Sequence, residues 1–416
     1  MSAETSAAGI VIVGAGQAGV MTAEALRSGG FEGSITLLGD EPHGPYHRPP
    51  LSKAWMAGEM DAAQLVMRAP EMLARKNIGL RTGVSVRAID RSAQTVILGD
   101  GSALPYTGLV LATGSTPRAL PLPGGDAPGV LALRTRDDAS AIADRLAACI
   151  EQQRPVVVIG GGFIGLEVAA TARKKGLAVT VLEAAPRLLG RVLAPALSDW
   201  YAELHRSHGV QLMLGAQVAA LETGPDGAVS GVRLADGSVV PAGLVVVGIG
   251  VSANDQLAQA AGLVCDRGIV VDACGRTSDP FIVAAGDCTA RRLADGNLLR
   301  LESVQNATEQ GKSAAAALLG QERPFTATPW FWSDQYDKKL QMAGLSMGAD
   351  AWAVRGDMAA GTFTVYHFKG EQLIAADSVN ASKDHLLVRK LLDAGVSPTR
   401  EQAGDVAFDL ASLLVK

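Results

Sequence analysis

Residues 9–41 read GIVIVGAGQAGVMTAEALRSGGFEGSITLLGDE, and this stretch decides the fold. An apolar run leads into the pattern G-x-G-x-x-G, which is followed by an alanine-rich segment, a glycine break and a second apolar run. This order predicts a strand, a helix and a second strand. In such a unit the first glycine allows a tight turn, the second lets backbone approach a pyrophosphate, and the third lets the helix pack on the strand. The stretch therefore predicts a dinucleotide-binding domain.

The same pattern occurs a second time, in residues 154–184, which read RPVVVIGGGFIGLEVAATARKKGLAVTVLEA. One G-x-G-x-x-G motif is weak evidence, but two copies with strand, helix and acidic residue in the same order are unlike an accident. The acidic residues at the ends of the two units, Asp40 and Glu183, are expected to accept hydrogen bonds from ribose hydroxyls. Two copies predict two nucleotides, most simply FAD and NAD(P).

The rest of the chain predicts an α/β protein with two Rossmann-like domains and a C-terminal α+β domain. Apolar runs that end in glycine, at 108–118, 243–255 and 280–290, are typical of strands whose ends approach a ligand. Asp-Gly pairs within 95–106 and 232–242 predict hairpins. We expect an FAD-binding domain of residues 1–116 and 242–325, an NAD-binding domain of residues 117–241, and a C-terminal domain of residues 326–416.

Composition excludes several classes of protein. The 48 glycines follow no collagen period, and 48% hydrophobic residues argue against a disordered chain. The 37 basic and 42 acidic side chains give a net charge of −5, so we expect no nucleic-acid partner. No apolar run is long enough for a membrane span, and the N-terminus has no basic leader, so we expect no membrane partner. Four cysteines without C-x-x-C spacing and six histidines without metal spacing predict reduced thiols, a cytoplasmic location and no metal.

Six motifs together resemble one known family. They are GAGQAG (14–19), PYHRPPLSK (45–53), ATG (112–114), GGGFIGLE (160–167), AAGD (284–287) and FWSDQYDKKLQMAG (331–344). This order is similar to the NADH-dependent ferredoxin reductases of bacterial oxygenase systems, the family of putidaredoxin reductase and of the biphenyl dioxygenase reductase. The glycine motifs, ATG and GD are shared by many flavoproteins with two dinucleotides, whereas RPPLSK and FWSDQ are much narrower.

The resemblance implies a glutathione-reductase-like fold, tightly but non-covalently bound FAD, and NADH as the electron donor. It also implies a small acidic [2Fe–2S] ferredoxin as the acceptor, which would feed a cytochrome P450 or a Rieske oxygenase. Such a partner would dock on basic side chains, for which the candidates are Arg68, Arg75, Lys76, Arg291, Arg292, Lys338 and Lys339.

The resemblance also implies site residues. Lys53, Glu167 and Trp332 would be catalytic: Glu167 would pair with Lys53 beside the reactive edge of the flavin, and Trp332 would pack near its ring. The positions implied for FAD are Gly14, Ala15, Gly16, Gly19, Asp40, Arg48, Lys53, Val86, Ala112, Thr113, Gly114, Arg134, Asp287, Val304 and Trp332. Those implied for NADH are Gly162, Phe163, Ile164, Gly165, Glu183, Arg191 and Gly250.

Three alternatives stay open at this point. Arg187 and Arg191 would suit the 2′-phosphate of NADP, although Glu183 favours the free 2′-hydroxyl of NADH. An NADH oxidase or disulfide reductase would need cysteine near the flavin, and residues 39–53 contain none. A signalling flavoprotein similar to apoptosis-inducing factor is the third alternative, and slow NADH oxidation without ferredoxin activity would favour it.

Overall fold

The computed structural model of the chain describes residues 9–293 and 295–414. Its helices are Gln17–Ser28 (α1), Ala54–Ala57 (α2), Ala62–Leu65 (α3), Pro70–Arg75 (α4), Arg136–Glu151 (α5), Phe163–Lys174 (α6), Pro195–Ser207 (α7), Gln256–Ala260 (α8), Val304–Leu318 (α9), Ser382–Asp393 (α10) and Arg400–Gly404 (α11). Short 3₁₀ turns lie at Pro49–Ser52 and Leu410–Leu414.

The strands follow one another along the chain as a long series. They are Gly9–Val13 (β1), Ile35–Leu38 (β2), Ile78–Arg81 (β3), Val86–Asp90 (β4), Thr95–Leu98 (β5), Ala103–Leu111 (β6), Ser115–Pro117 (β7), Val130–Ala132 (β8), Val156–Ile159 (β9), Val179–Glu183 (β10), Val210–Leu214 (β11), Val218–Thr223 (β12), Val229–Leu234 (β13), Val239–Pro241 (β14), Leu244–Val247 (β15), Val251–Ala253 (β16), Ile269–Val271 (β17), Ile282–Ala284 (β18), Thr289–Arg292 (β19), Leu298–Leu299 (β20), Trp330–Gln335 (β21), Lys338–Gly344 (β22), Ala351–Asp357 (β23), Thr362–Lys369 (β24) and Gln372–Val379 (β25).

The chain divides into two compact units, each built from three segments. The first unit consists of the chain up to His47, Ala62–Thr116 and Val251–Thr326. The second consists of Arg48–Asp61, Pro117–Gly250 and the chain from Ala327 onward. The polypeptide therefore crosses between the two units several times, as expected of a dinucleotide-binding domain inserted into another.

The first unit is organised by a parallel sheet in the order β3-β2-β1-β6-β18. β1 pairs in register with β2, so that Ile10 lies opposite Ile35. β1 is apolar along its whole length and β6 from Gly108 to Leu111, because helices α1 and α9 and further core residues cover these parts of the sheet. The long strand β6 also forms an antiparallel hairpin with β5, whose turn contains the predicted Asp-Gly pair.

The second unit contains a second parallel sheet, in the order β11-β10-β9-β15-β8. Strand β9 is fully buried and lies in its centre, which explains its unbroken run of Val156–Ile159. Antiparallel strands β12-β13-β14 form a smaller sheet, and the predicted Asp-Gly turn lies between β13 and β14. The two parallel sheets, each entered through a glycine motif, are the two Rossmann-like cores that the sequence predicts.

The C-terminal part of the second unit is an antiparallel sheet in the order β21-β22-β25-β24-β23, with helices α10 and α11. The sequence of 361–370 predicts an alternating strand, but six consecutive residues of β24 are buried. β24 is an interior strand of this sheet, and its side chains enter a core that includes Tyr366, Phe368 and Val388. Burial on both faces removes the polar alternation that a half-exposed strand would show.

Two boundaries differ from the sequence prediction. Strand β15 pairs with β9 and β8, and residues 242–250 group with 117–241 and not with 251–325 as predicted. The segment Arg48–Asp61 groups with the second unit although it was assigned to the first domain. The other predicted domain limits stay predictions. Within the described residues, no helix combines the length and the apolar character needed to cross a membrane.

Candidate functional site

The first glycine motif forms the turn between β1 and α1. Gly14 adopts φ +112°, a left-handed conformation, and a β-carbon there would overlap the carbonyl oxygen of Ala112. A β-carbon on Gly19 would overlap the carbonyl oxygen of Gly14, so this glycine lets α1 approach the turn. Gly16 is different, because no atom lies within 4 Å of the position its β-carbon would take. The fold requires Gly14 and Gly19, whereas Gly16 leaves an open cradle at the start of α1.

That cradle suits the pyrophosphate of a dinucleotide. Gly16 is the N-cap of α1 and supplies no capping side chain, so the first amide groups of the helix are free to bind an anion. Ala15 lies beside Gly16 and packs close to Gly39, because a β-carbon on Gly39 would lie only 2.9 Å from Ala15 Cβ. The start of α9 lies next to α1, since Gln17 Nε2 donates to Thr308 Oγ1 at 3.0 Å.

Polar groups follow the parallel strands of the first unit at their carboxyl ends. After β6 the chain passes through Ala112, Thr113 and Gly114, and Gly114 adopts φ +70°. Thr113 Oγ1 donates to the backbone oxygen of Asn254 at 2.5 Å, and Asn254 Nδ2 donates back to the Thr113 oxygen at 2.9 Å. Asp287 follows β18 and accepts from Ser115 Oγ at 3.0 Å. The carboxyl ends of parallel strands are where α/β sheets bind ligands.

Three further predicted FAD residues lie in the same unit. Asp40 is exposed just after β2, where the acidic residue of the fingerprint belongs. Val86 begins β4 and is half-buried. Val304 is the first residue of α9, whose N-cap Ser303 accepts from the amide of Asn306 at 3.0 Å. Ser115, Asn254 and Ser303 were missed from the sequence, and only their place after strands or before a helix could have indicated them.

The second glycine motif repeats this construction between β9 and α6. Gly160 adopts φ +110°, and a β-carbon there would overlap the Gly248 oxygen. A β-carbon on Gly165 would overlap the Gly160 oxygen and lie 3.1 Å from Val158 Cγ1. Gly162, the N-cap of α6, again has no atom within 4 Å of its β-carbon position. The second unit therefore has its own open anion cradle, as NADH binding requires.

The other residues predicted for NADH surround this turn. Glu183 ends β10, and its two oxygens accept from the amides of Gly161 at 2.6 Å and Ala185 at 2.7 Å. Gly250 has φ +101°, and the guanidinium of Arg191 lies 3.9 Å from its β-carbon position. Phe163 and Ile164 begin α6. The ring of Phe163 lies 4.9 Å from that of Phe331, and Ile164 is 44% exposed.

The second unit also contains a buried ion pair. Lys53 Nζ lies 2.6 Å from Glu167 Oε2, with 21% of the lysine and 5% of the glutamate side chain exposed. Lys53 directly follows the Pro49–Ser52 turn, and Glu167 is buried on α6. Ser52 Oγ donates to Glu167 Oε2 at 2.5 Å, and Ser333 Oγ donates to Oε1 at 2.7 Å. The carboxylate is thereby oriented by two hydroxyls that sequence reasoning missed.

Arg48, Arg134 and Trp332 complete the predicted set. Arg48 Nη1 donates to the backbone oxygen of Arg134 at 2.7 Å, so these two lie together. Trp332 is half-buried on β21, with its ring 5.6 Å from that of Trp330. The predicted residues thus fall into one group in the first unit and another in the second, and their roles stay predictions.

The cysteines offer no redox pair. All four are free, and three are buried: Cys149, Cys274 and Cys288. Burial raises the pKa of Cys265 to about 11 and also raises the pKa of Cys288. A thiol of this kind is a poor nucleophile at neutral pH. These thiols do not support disulfide chemistry.

Two of the predicted docking regions contain basic side chains that already have partners within the first unit. Arg291 Nη1 donates to the Phe325 oxygen at 2.5 Å, its guanidinium lies 4.6 Å from the Phe325 ring, and burial lowers its pKa. Arg291 is half-buried and contacts the chain after α9, and its part in docking stays a prediction. Arg68 and Lys76 both bind Glu24, at 2.9 and 2.7 Å, so their charges are partly neutralised.

Two parallel sheets, each with a glycine turn and an open anion cradle at a helix start, define an oxidoreductase that binds two dinucleotides. The chain belongs to the family described as pyridine nucleotide-disulphide oxidoreductase, whose model matches residues 8–311, and the model described as reductase C-terminal matches residues 330–414. The family confirms the predicted cofactors FAD and NADH. It also confirms the predicted fold class, including the C-terminal domain.

Similar proteins match over nearly the whole chain. Rhodocoxin reductase of Rhodococcus erythropolis is 47% identical over 96% of this chain and 93% of its own length. Putidaredoxin reductase of Pseudomonas putida is 48% identical over 97% and 96%. The crystal structure of the covalent putidaredoxin reductase–putidaredoxin complex is 43% identical, covers 99% of both chains and has a TM-score of 0.94. The resemblance to oxygenase-system ferredoxin reductases is confirmed.

Proposed function

We propose that this chain is an FAD-dependent NADH:ferredoxin reductase that delivers electrons to a [2Fe–2S] ferredoxin of a cytochrome P450 or Rieske oxygenase. The observation that carries the proposal is the presence of two open glycine cradles in a chain that matches such reductases over nearly its full length. When bound, FAD takes two electrons from NADH as hydride and releases them singly. The chain itself has to bind, orient and shield the two cofactors.

The residues divide this task between the two cradles. In the first unit, Gly16 and the start of α1 hold the FAD pyrophosphate, Asp40 holds the ribose, and Asp287 accepts from the cofactor's ribityl hydroxyls. In the second unit, Gly162 and the start of α6 hold the pyrophosphate of NADH, and Glu183 accepts from its ribose hydroxyls.

Lys53 and Glu167 supply charge and orientation. A lysine ammonium stabilises negative charge that develops on a neighbouring group, and Lys53 serves this role toward the flavin. Glu167 fixes the ammonium, because its Oε2 lies 2.6 Å from Nζ while the Pro49 oxygen accepts a second bond at 3.1 Å. Trp332 would pack near the flavin ring. Replacing Lys53 by a neutral residue would remove the positive charge that stabilises the flavin during hydride transfer.

The ferredoxin is acidic in this proposal, and basic side chains attract it. The candidates are Arg68, Arg75, Lys76, Arg291 and Arg292 in the first unit and Lys338 and Lys339 in the second. The proposed location is cytoplasmic. It is supported by the four free cysteines, because thiols stay reduced in that compartment.

The experiment is NADH-driven cytochrome c reduction with the purified holoprotein, measured with and without an acidic [2Fe–2S] ferredoxin. We expect the ferredoxin to raise the rate at least tenfold and NADPH to be a poorer donor. Glutathione disulfide is the control substrate and should not be reduced. Rates without ferredoxin that equal the coupled rates would contradict the proposal.

A further inference from the structure

The FWSDQY motif places Ser333, Gln335 and Tyr336 on and after β21, and the proposed function uses none of them. Their side chains join a line of hydrogen bonds within the second unit. Ser333 Oγ lies 2.7 Å from Glu167 Oε1, and Gln335 Nε2 lies 3.2 Å from Ser333 Oγ. His205 Nε2 lies 2.8 Å from Gln335 Oε1, and Tyr336 Oη lies 3.2 Å from His205 Nδ1. We call this line the Glu167 chain.

The direction of every bond in the Glu167 chain follows from its end. A carboxylate can only accept, so Ser333 must use its proton toward Glu167 and must accept from Gln335. The amide nitrogen of Gln335 is therefore the donor, and its oxygen faces His205 and accepts from Nε2–H. The Nδ1 atom of His205 has no proton left and accepts from Tyr336. Each member donates toward Glu167.

The donors of the Glu167 chain are neutral, and all of them except the half-buried Tyr336 are shielded from water. Glu167, Ser333, Gln335 and His205 are all buried, and His205 is completely so. Burial lowers the pKa of His205 to about 4, which keeps its ring neutral and leaves one nitrogen free to accept from Tyr336. Polar groups are costly to bury unless they are bonded to one another. A continuous line of four buried polar side chains is therefore a candidate for a functional role.

Tyr336, the outermost donor of the Glu167 chain, has a strained backbone conformation. It occupies the first position of the two-residue turn between β21 and β22, with φ +57°, a conformation that favours glycine. A bulky aromatic residue is rare there, and strain of this kind collects at functional sites. Its ring is stacked on His208 with centroids 3.7 Å apart, which holds the hydroxyl against His205.

The Glu167 chain is not a proton wire. The amide of Gln335 would have to pass through an unstable tautomer to hand a proton along. Aligned neutral donors do something else: they place partial positive charge toward the carboxylate and polarise one another. Ser333 occupies Oε1, which leaves Oε2 for Lys53 and Ser52.

We propose that Ser333, Gln335, His205 and Tyr336 are positioning residues that hold Glu167 as an oriented carboxylate, and so fix the ammonium of Lys53. This inference rests on the proposed function, because it assigns the Lys53–Glu167 pair to hydride transfer. It predicts an effect that weakens with distance along the line. Ser333→Ala removes the donor to Glu167, and Tyr336→Phe removes only the outermost hydroxyl while the stacked ring stays.

The test measures NADH-driven ferricyanide reduction by the holoprotein, which needs no ferredoxin. Loss of a hydrogen bond to a charged group predicts that Ser333→Ala lowers kcat about tenfold while KM for NADH is nearly unchanged. The thermal midpoint should also fall, because Glu167 Oε1 and Gln335 Nε2 lose a buried partner. Tyr336→Phe should lower kcat by about twofold. Ser378→Ala is the matched control, because it removes a buried hydroxyl of the same sheet that bonds Thr364 and not the line. Its kcat should stay at the wild-type value.

A ¹⁵N histidine spectrum of the unmodified protein tests the line without any activity. The proposal requires His205 to be neutral and protonated at Nε2 from pH 5.5 to 8. A protonated ring, the opposite tautomer, or wild-type kcat in Ser333→Ala would overturn it. Absence of NADH turnover in the wild type would instead contradict the proposed function, and the spectrum would still decide the geometry.

Discussion

Gly162→Ala should separate what the second glycine turn does for the fold from what it does for NADH. Gly162 has φ −85° and ψ 175°, an extended conformation that alanine adopts freely. No atom lies within 4 Å of the added methyl group. The cost to the protein is then that of alanine in place of glycine at a helix N-cap, about 0.5–1 kcal/mol. We expect the thermal midpoint to fall by no more than about 3 °C.

The cost to the cofactor is larger. The methyl group would point into the cradle where the pyrophosphate of NADH meets the amides at the start of α6. Loss of one or two hydrogen bonds to a charged phosphate costs about 1.5–3 kcal/mol. This corresponds to a rise of roughly 10- to 100-fold in the dissociation constant. Since these bonds do not change during hydride transfer, KM for NADH should rise and kcat should change little.

Gly165→Ala is the matched control within the same turn. Its β-carbon would overlap the Gly160 oxygen and lie 3.1 Å from Val158 Cγ1, so α6 has to move away from β9. Overpacking of this kind costs about 1–3 kcal/mol, which should lower the thermal midpoint. The assay is steady-state ferricyanide reduction over a range of NADH concentrations, with a thermal melt of each variant. An unchanged KM in Gly162→Ala, or a melt as low as that of Gly165→Ala, would refute the reasoning.

Three further results are expected. Burial lowers the pKa of His205 to about 4, so the unfolded chain binds its proton first as the pH falls below about 6.5; His205 alone should lower the free energy of unfolding by about 2 kcal/mol between pH 8 and 5. Urea titrations should show that the free energy of unfolding depends less on pH in His205→Asn than in the wild type. An equal dependence on pH in the two proteins would count against this prediction. Glu183→Ala should narrow the preference for NADH over NADPH, measured as the ratio of kcat/KM values, because the charge that repels a 2′-phosphate is gone. Alkylation with iodoacetamide at pH 7 should leave turnover intact, since burial raises the pKa of Cys265 to about 11 and Cys288 is inaccessible; loss of activity would revive a thiol mechanism.

The glycine turns could be predicted from the sequence because their geometry is local. Gly14 and Gly160 each need a positive φ, and Gly19 and Gly165 each face the carbonyl oxygen of a glycine five residues earlier. These demands act within a few residues, and so they leave a pattern at fixed spacing. The same holds for the Asp-Gly hairpin turns.

Sheet membership could not be predicted in the same way. The run of β15 looks like other buried strands, and its neighbours β9 and β8 lie far away in the chain. An apolar parallel strand carries no signal for which sheet it enters. For this reason the sequence predicts the end of the NAD-binding domain at residue 241, before β15, whereas the observed unit continues to Gly250.

The hydroxyls around Glu167 were missed for a related reason. Ser52 and Ser333 come from separate segments and meet the carboxylate only after folding. A single serine in a strand or turn has no periodicity, and it cannot be told from a surface residue. Arg291 shows the same limit, because the sequence gives no sign of its bond to the Phe325 oxygen.

The backbone bonds of Glu183 bear on which nicotinamide cofactor the second cradle accepts. The amides of Gly161 and Ala185 each hold one of its oxygens, so the carboxylate is oriented before the cofactor arrives. A carboxylate has about four acceptor positions, and two remain for ribose hydroxyls. The Glu183 side chain then loses little conformational freedom when the cofactor binds, which favours the free 2′-hydroxyl of NADH. A 2′-phosphate would meet a fixed negative charge that cannot turn away without breaking both amide bonds. Because these bonds hold the glycine turn as well, we expect discrimination against NADPH and the shape of the pyrophosphate cradle to depend on the same side chain.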